Sequence, residues 1–262
     1  MLQLNGGQRY SFGLFVTAIG IIALLILLTS CRDKQLELPI PPPVIVADTI
    51  SVKDTSTTTA PVGGYKYLAL GDSYTIGQGV PEEGRFPMQV AAILNAKGIP
   101  VSKPAIIAQT GWPTATLLTA IEQANPAPDN DIVTLLIGVN DQYQSHDTTG
   151  YRSKFTTSLE KAIQLAKGKR SRVFVLSIPD YSVTPFGMGA YASQTALEID
   201  QFNAINKAVT LSYNISYTDI TPISRAAKGD ATMLASDGLH PSGSQYRLWA
   251  EQLVIPIITQ LK

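Results

Sequence analysis

Four short stretches, far apart in the 262-residue chain, hold residue types that nucleophilic chemistry at a carbonyl requires. Gly71-Asp72-Ser73 brings a hydroxyl and Thr110-Gly111-Trp112 a backbone N–H freed by glycine. Gly138-Val139-Asn140-Asp141 brings a side-chain amide, and Asp237-Gly238-Leu239-His240 an imidazole with a carboxylate three residues before it. A serine hydroxyl is a poor nucleophile until a base takes its proton. His240 is the candidate base. The other histidine, His146, lies in the polar stretch Gln144-Ser145-His146-Asp147 and reads as a solvated loop residue. Asp237 is close enough to hold the imidazole in one tautomer and to stabilise its cation. It is equally a turn-forming residue, and a backbone carbonyl can orient a histidine instead. A tetrahedral intermediate also needs donors aimed at its oxyanion. The N–H groups of Ser73 and Gly111 and the amide of Asn140 are of that kind, each worth about 3–4 kcal/mol when well placed. Asp72 and Asp141 read as carboxylates accepting loop N–H bonds.

These residues must be carried by elements that converge. Tyr65 to Leu70 is short, apolar and aromatic, the pattern of a strand in a sheet core, and Gly71 ends it with a change of direction. Pro104–Ala108, Asp131–Ile137, Arg172–Ile178 and Ile215–Asp219 read as further strands. Apolar residues at helical spacing mark helices over Phe86–Lys97, Pro113–Asn125, Tyr151–Lys167, Thr195–Tyr213 and Thr221–Lys228, and from Pro241 onward. The alternation predicts a three-layer α/β domain over residues 65–262 with a mainly parallel sheet. Ser73, Gly111 and Asn140 follow three different strands, so such a sheet gathers them along one edge. Pro179–Tyr191, rich in proline, glycine and aromatic residues, either lines a cleft there or packs as an aromatic cluster. Trp112 is either packing or a pocket wall.

Taken together, Gly71-Asp72-Ser73, Gly111, Gly138-Val139-Asn140-Asp141 and Asp237-Gly238-Leu239-His240 resemble the four blocks of the SGNH (GDSL-like) hydrolases, in order and at similar spacings. The resemblance implies an α/β/α sandwich with a flavodoxin-like sheet and hydrolysis of carboxylic esters through an acyl-enzyme. It implies Ser73 as nucleophile, His240 as base, Asp237 as its orienter, and Ser73, Gly111 and Asn140 as oxyanion donors, with no cofactor or metal. Tyr74 stands where the motif's name has leucine. Ser73 is followed by Tyr74-Thr75, not by the x-Gly of a G-x-S-x-G elbow, which argues against the α/β-hydrolase fold. The alternative reading of the same blocks is a non-catalytic binding module for acylated glycans or lipids. The blocks do not encode the substrate, which could be a small ester or a glycan or lipid ester.

Lysine plus arginine equals aspartate plus glutamate at 20 each, so no electrostatic footprint for nucleic acid exists. One cysteine and two histidines exclude an internal disulfide and argue against a His-rich metal site. Phe12 to Thr29 is a nearly continuous apolar run whose length leaves a signal peptide (about 7–15 apolar residues) and a membrane span (about 18) tied. Leu28-Thr29-Ser30-Cys31 resembles the bacterial lipoprotein signal, and the chain's single cysteine sits where that signal needs it. The expectation is a signal peptide over 1–30, lipidation of Cys31, and a Pro/Thr-rich tether over 31–64. The domain would then be membrane-anchored in the cell envelope, outside the cytoplasm.

Overall fold

The computed structural model describes residues 63–262. The expected signal peptide, Cys31 and all but the last two residues of the expected tether lie outside the described residues. Among the described residues no helix is long and apolar enough to cross a membrane.

Five strands form one all-parallel sheet in the order β2-β1-β3-β4-β5. They are β1 (Tyr67–Gly71), β2 (Ala105–Ala108), β3 (Ile132–Leu136), β4 (Val173–Leu176) and β5 (Ser216–Thr218). Every residue of β1, β3 and β4 is buried, which is why these strands read as nearly continuous apolar runs, interrupted in β3 only by Thr134, rather than as alternating ones. The helices between strands are α1 (Ser73–Ile76) and α2 (Phe86–Ala96), α3 (Thr114–Ala124), α4 (Val139–Ser145) and α5 (Thr148–Leu165), and α6 (Ala192–Ser212). After β5 come α7 (Thr221–Ala226) and α8 (Gly243–Leu261).

The crossover from β1 to β2 moves one way across the sheet, and the crossovers from β2 to β5 all move the other way. With right-handed crossovers this puts α2 on one face and α3, α5 and α6 on the other. The packing agrees: α8 returns onto α2, while α5 packs against both α3 and α6. Trp249 and Tyr246 of α8, Phe86 of α2 and Phe155 of α5 are fully buried. Truncating one of these to alanine removes about 3–5 kcal/mol of stability. The last helix starts later than Pro241, at Gly243, because Ser242 is its cap and accepts the Gln245 N–H at 3.3 Å.

Register fixes where the site forms. Gly71 pairs with Ala108 on one side and Leu136 on the other, so β1, β2 and β3 end level. The residues just beyond them therefore emerge along one edge, where the chain's direction of travel across the sheet reverses. Gly71 itself keeps extended backbone. Its glycine is required by close approach, since a Cβ would collide with Thr75 Oγ1 and the Leu136 carbonyl. The change of direction falls instead at Asp72, with φ −125° and ψ −148°.

Candidate active site

Asp72 caps α1: its Oδ1 accepts the Tyr74 N–H at 3.0 Å and turns the chain out of β1. Ser73 is thereby the first residue of that helix, where a backbone N–H has no helical carbonyl to bond. The Asp72 carboxyl is fully buried and its Oδ2 has no hydrogen-bond partner. Burial pushes its pKa up to about 7 against the Tyr74 N–H bond, with a further rise from the Asp141 charge.

Asp237 divides its two oxygens between two tasks. Oδ1 accepts the N–H of Leu239 at 3.0 Å and of His240 at 2.9 Å, which closes the turn. Oδ2 lies 2.7 Å from His240 Nδ1. Partial burial pushes the Asp237 carboxyl up, but the bonds from the His240 ring and from these backbone N–H groups outweigh it and hold the group below the ordinary carboxylate range. A proton on Nδ1 toward this carboxylate leaves Nε2 free to accept. The imidazole is buried against the Tyr74 ring, with centroids 5.1 Å apart at 56°. The residue after Ser73 thus clamps His240, although Tyr74 and His240 lie at opposite ends of the domain sequence.

Gly111 adopts φ +81°, open to glycine alone at little cost, although nothing within 4 Å would crowd a Cβ. Its carbonyl accepts from Gln144 Nε2 at 3.0 Å. Asn140 sits in the first turn of α4. One N–H of its amide donates to the Trp112 carbonyl at 3.1 Å, which leaves the second for the cleft. Asp141 Oδ2 accepts the Thr114 N–H at 2.8 Å and the Thr114 hydroxyl at 2.7 Å, tying α4 to the start of α3. These bonds fix the Gly111 turn against Asn140.

Ser73, Gly111, Asn140 and His240 line a single cleft of about 140 Å³. Its remaining walls are mostly apolar or aromatic and include Val139, Tyr143, Tyr181, Phe186 and Leu239. A cavity of about 150 Å³ takes a benzene-sized group, so this one suits a short acyl chain. Trp112 is packed against the core and is not among the lining residues. The Pro179–Tyr191 stretch answers both of its readings. Tyr181 and Phe186 line the cleft, and with Tyr143 they form a ring cluster at centroid distances of 6.1–6.2 Å. His146 is exposed, as expected of a loop residue, yet its Nδ1 lies 2.6 Å from Glu198 Oε2 on α6. Tyr143 was not singled out from the sequence. Its signal was the helical spacing from Asn140, legible only if Val139–Ser145 is read as a helix.

A hydroxyl, an imidazole backed by a carboxylate, and three residues that carry N–H donors, two from the backbone and one from a side-chain amide, around one cleft form a set suited to acyl transfer. Among the described residues no group of three or more His, Cys, Asp or Glu side chains is arranged to hold a metal ion. Comparison with solved structures finds the same fold in a lipolytic G-D-S-L family protein from Veillonella parvula. It is 20% identical with TM-score 0.55, and the match covers 74% of this chain and 98% of that one. A lipase/acylhydrolase from Enterococcus faecalis is 21% identical with TM-score 0.56, covering 76% and 97%. An acetyl xylan esterase from Geobacillus stearothermophilus is 19% identical with TM-score 0.55, covering 74% and 95%. At these identities the likeness is one of fold. A search of curated proteins finds no match. The model of the GDSL-like lipase/acylhydrolase family matches residues 69–248, from within β1 into α8 and across all four blocks. The chain belongs to that family and is a carboxylic ester hydrolase.

Proposed function

We propose that the protein is a serine esterase that cleaves short-chain carboxylic esters through an acyl-enzyme on Ser73. The observation that carries this reading is that Ser73, Gly111, Asn140 and His240 line one cleft, with Asp237 Oδ2 at 2.7 Å behind the imidazole. His240 Nε2 takes the Ser73 hydroxyl proton as Oγ bonds to the ester carbonyl carbon. The Ser73 and Gly111 N–H groups and the Asn140 amide receive the oxyanion. Collapse breaks the bond to the alcohol oxygen, which leaves with the proton from His240. Water then enters, gives its proton to His240, and attacks the acyl carbon. Release of the acid returns the proton to Ser73 Oγ. Asp237 keeps the imidazole in the tautomer that both half-reactions need and offsets its transient charge.

Ser73→Ala should remove at least about 10³-fold of kcat toward p-nitrophenyl acetate, with an unchanged thermal transition. Retained turnover in that variant would mean that another group attacks the ester.

The same proposal places residues 65–262 at a membrane in the cell envelope, outside the cytoplasm, held by acyl chains on Cys31 after removal of residues 1–30. Each buried CH₂ of such chains contributes about 0.8 kcal/mol, so more than one chain anchors stably. Metabolic labelling with a fatty-acid analogue should tag the protein and should be lost in Cys31→Ser. Undiminished labelling of that variant counts against the anchor.

A further inference from the structure

A second cleft, of about 360 Å³, shares the walls Tyr143 and Tyr181 with the Ser73 cleft. Its chemistry differs. Glu198 forms its polar hub: Oε2 accepts from Gln142 Nε2 at 2.7 Å and faces His146 Nδ1, and Oε1 accepts from Gln194 Nε2 at 2.8 Å. Partial burial pushes the Glu198 carboxyl up, but these three donors hold it below its ordinary range. The hub is coupled to the first cleft, because Gln142 Oε1 accepts from the Tyr181 hydroxyl at 2.9 Å.

The lining residues decide which ligand chemistry fits. None is a lysine or arginine, so a phosphate or carboxylate group finds no countercharge. The one carboxylate is already answered by three donors, so a quaternary ammonium finds no bare anion. What remains is the exposed ring faces of Tyr143 and Tyr191, 55% and 76% exposed, beside groups that accept or donate singly: Gln194 Oε1, His146 Nε2 and the Tyr191 hydroxyl. Aromatic faces flanked by neutral hydrogen-bonding groups match a ring with apolar C–H faces and a rim of hydroxyls. We propose that this cleft is the subsite for the alcohol half of the substrate, that this half is a neutral sugar, and that the substrate is an O-acylated carbohydrate. The inference rests on the reading of the Ser73 cleft as the hydrolytic centre: the short acyl group occupies that apolar cleft, and the sugar extends past Tyr143 and Tyr181.

Two assays on the full-length protein test this separately. In the first, xylotriose, which carries no ester, is titrated into the protein and followed by NMR. It should bind in the millimolar range, and Tyr191→Ala and Glu198→Gln should each weaken binding about fivefold or more, while Tyr191→Phe, which keeps the ring face, restores most of it. In the second, acetylated xylotriose and ethyl acetate are compared, since they share the acyl group. The sugar ester should show a kcat/KM at least about tenfold higher, and the same two variants should erode that ratio through KM. Binding without any ester cleavage would leave the subsite standing and defeat the hydrolytic reading. Cleavage of ethyl acetate with no xylotriose binding, or with equal kcat/KM for the two esters, would overturn the subsite alone. So would a preference for acetylcholine over acetylated xylotriose, which would assign the cleft to a cation.

Discussion

Ser73 and Phe186 face the same cleft, but the floor that carries Ser73 and the rim that carries Phe186 are held by different means. The floor is delivered by the ends of three paired strands. Its backbone is pinned by the Asp72 cap, the Asp141–Thr114 bonds and the Asp237 turn, and Asp72, Asp141 and His240 are buried. The rim is a loop. Its base is anchored where Asp180 meets Arg225 Nε at 2.8 Å, and the Phe186 N–H donates to the Gly238 carbonyl at 3.3 Å. Beyond that point Phe186, Met188 and Tyr191 are each more than half exposed. Chemistry that depends on tenths of an ångström is thus placed on the rigid part, and selection among substrates is left to the part that can change without disturbing it.

That division predicts a graded series of effects. The largest belong to the floor. His240→Ala should cost at least about 10³-fold in kcat. Asp237→Asn should cost about as much with little loss of stability. The amide oxygen can still accept the two turn N–H bonds, while its NH₂ presents a donor to Nδ1 and favours the wrong tautomer. Asn140→Ala should lower kcat about 10²-fold and leave KM nearly unchanged, as expected of a donor used chiefly in the transition state. On the rim, Phe186→Ala should raise KM for longer acyl esters several-fold and change kcat for an acetyl ester by less than about threefold. A rim variant as damaging to acetyl ester turnover as Asp237→Asn would break the division.

The smallest effect on turnover and the clearest on stability concerns the carboxyl under the floor. Folded Asp72 keeps its proton to about pH 7, whereas an unfolded aspartate loses it near pH 4. Between those values the folded state binds more protons, so this group's contribution to stability is full below about pH 4 and declines as pH rises through 7. The decline amounts to at most about 4 kcal/mol. Asp72→Asn keeps an oxygen for the Tyr74 N–H and cannot ionise. It should flatten the dependence of the melting temperature on pH across this window and raise the melting temperature above pH 7. An equally steep decline in the variant would place the effect on another group.

The parts legible in the sequence were those encoded locally. The buried strands β1, β3 and β4 announced themselves as short, mainly apolar runs, and all five strands occur within two residues of the expected ends. The helices α1 and α4 did not. One has four residues between Asp72 and Gly77, and the other, Val-Asn-Asp-Gln-Tyr-Gln-Ser, is rich in weak helix formers and is held by tertiary bonds. Asp237 read as either a turn former or an orienter of His240, and it is both, because a carboxylate has two oxygens and the turn uses one. Asp141 was expected to serve a loop N–H, but its partner Thr114 lies 27 residues away. Glu198 as the partner of His146 is 52 residues away and had no local signal at all. The second cleft therefore could not be read before the fold brought α4 and α6 together.

The most direct measurement is to treat the full-length protein with a fluorophosphonate, which bonds covalently only to an activated hydroxyl, and to locate the adduct by tandem mass spectrometry. The account predicts one adduct per chain, on Ser73, forming at least about 10²-fold more slowly when His240 is replaced by alanine. An adduct on a different residue, or labelling of Ser73 at an undiminished rate in the His240 variant, would contradict the pairing of this hydroxyl with this imidazole.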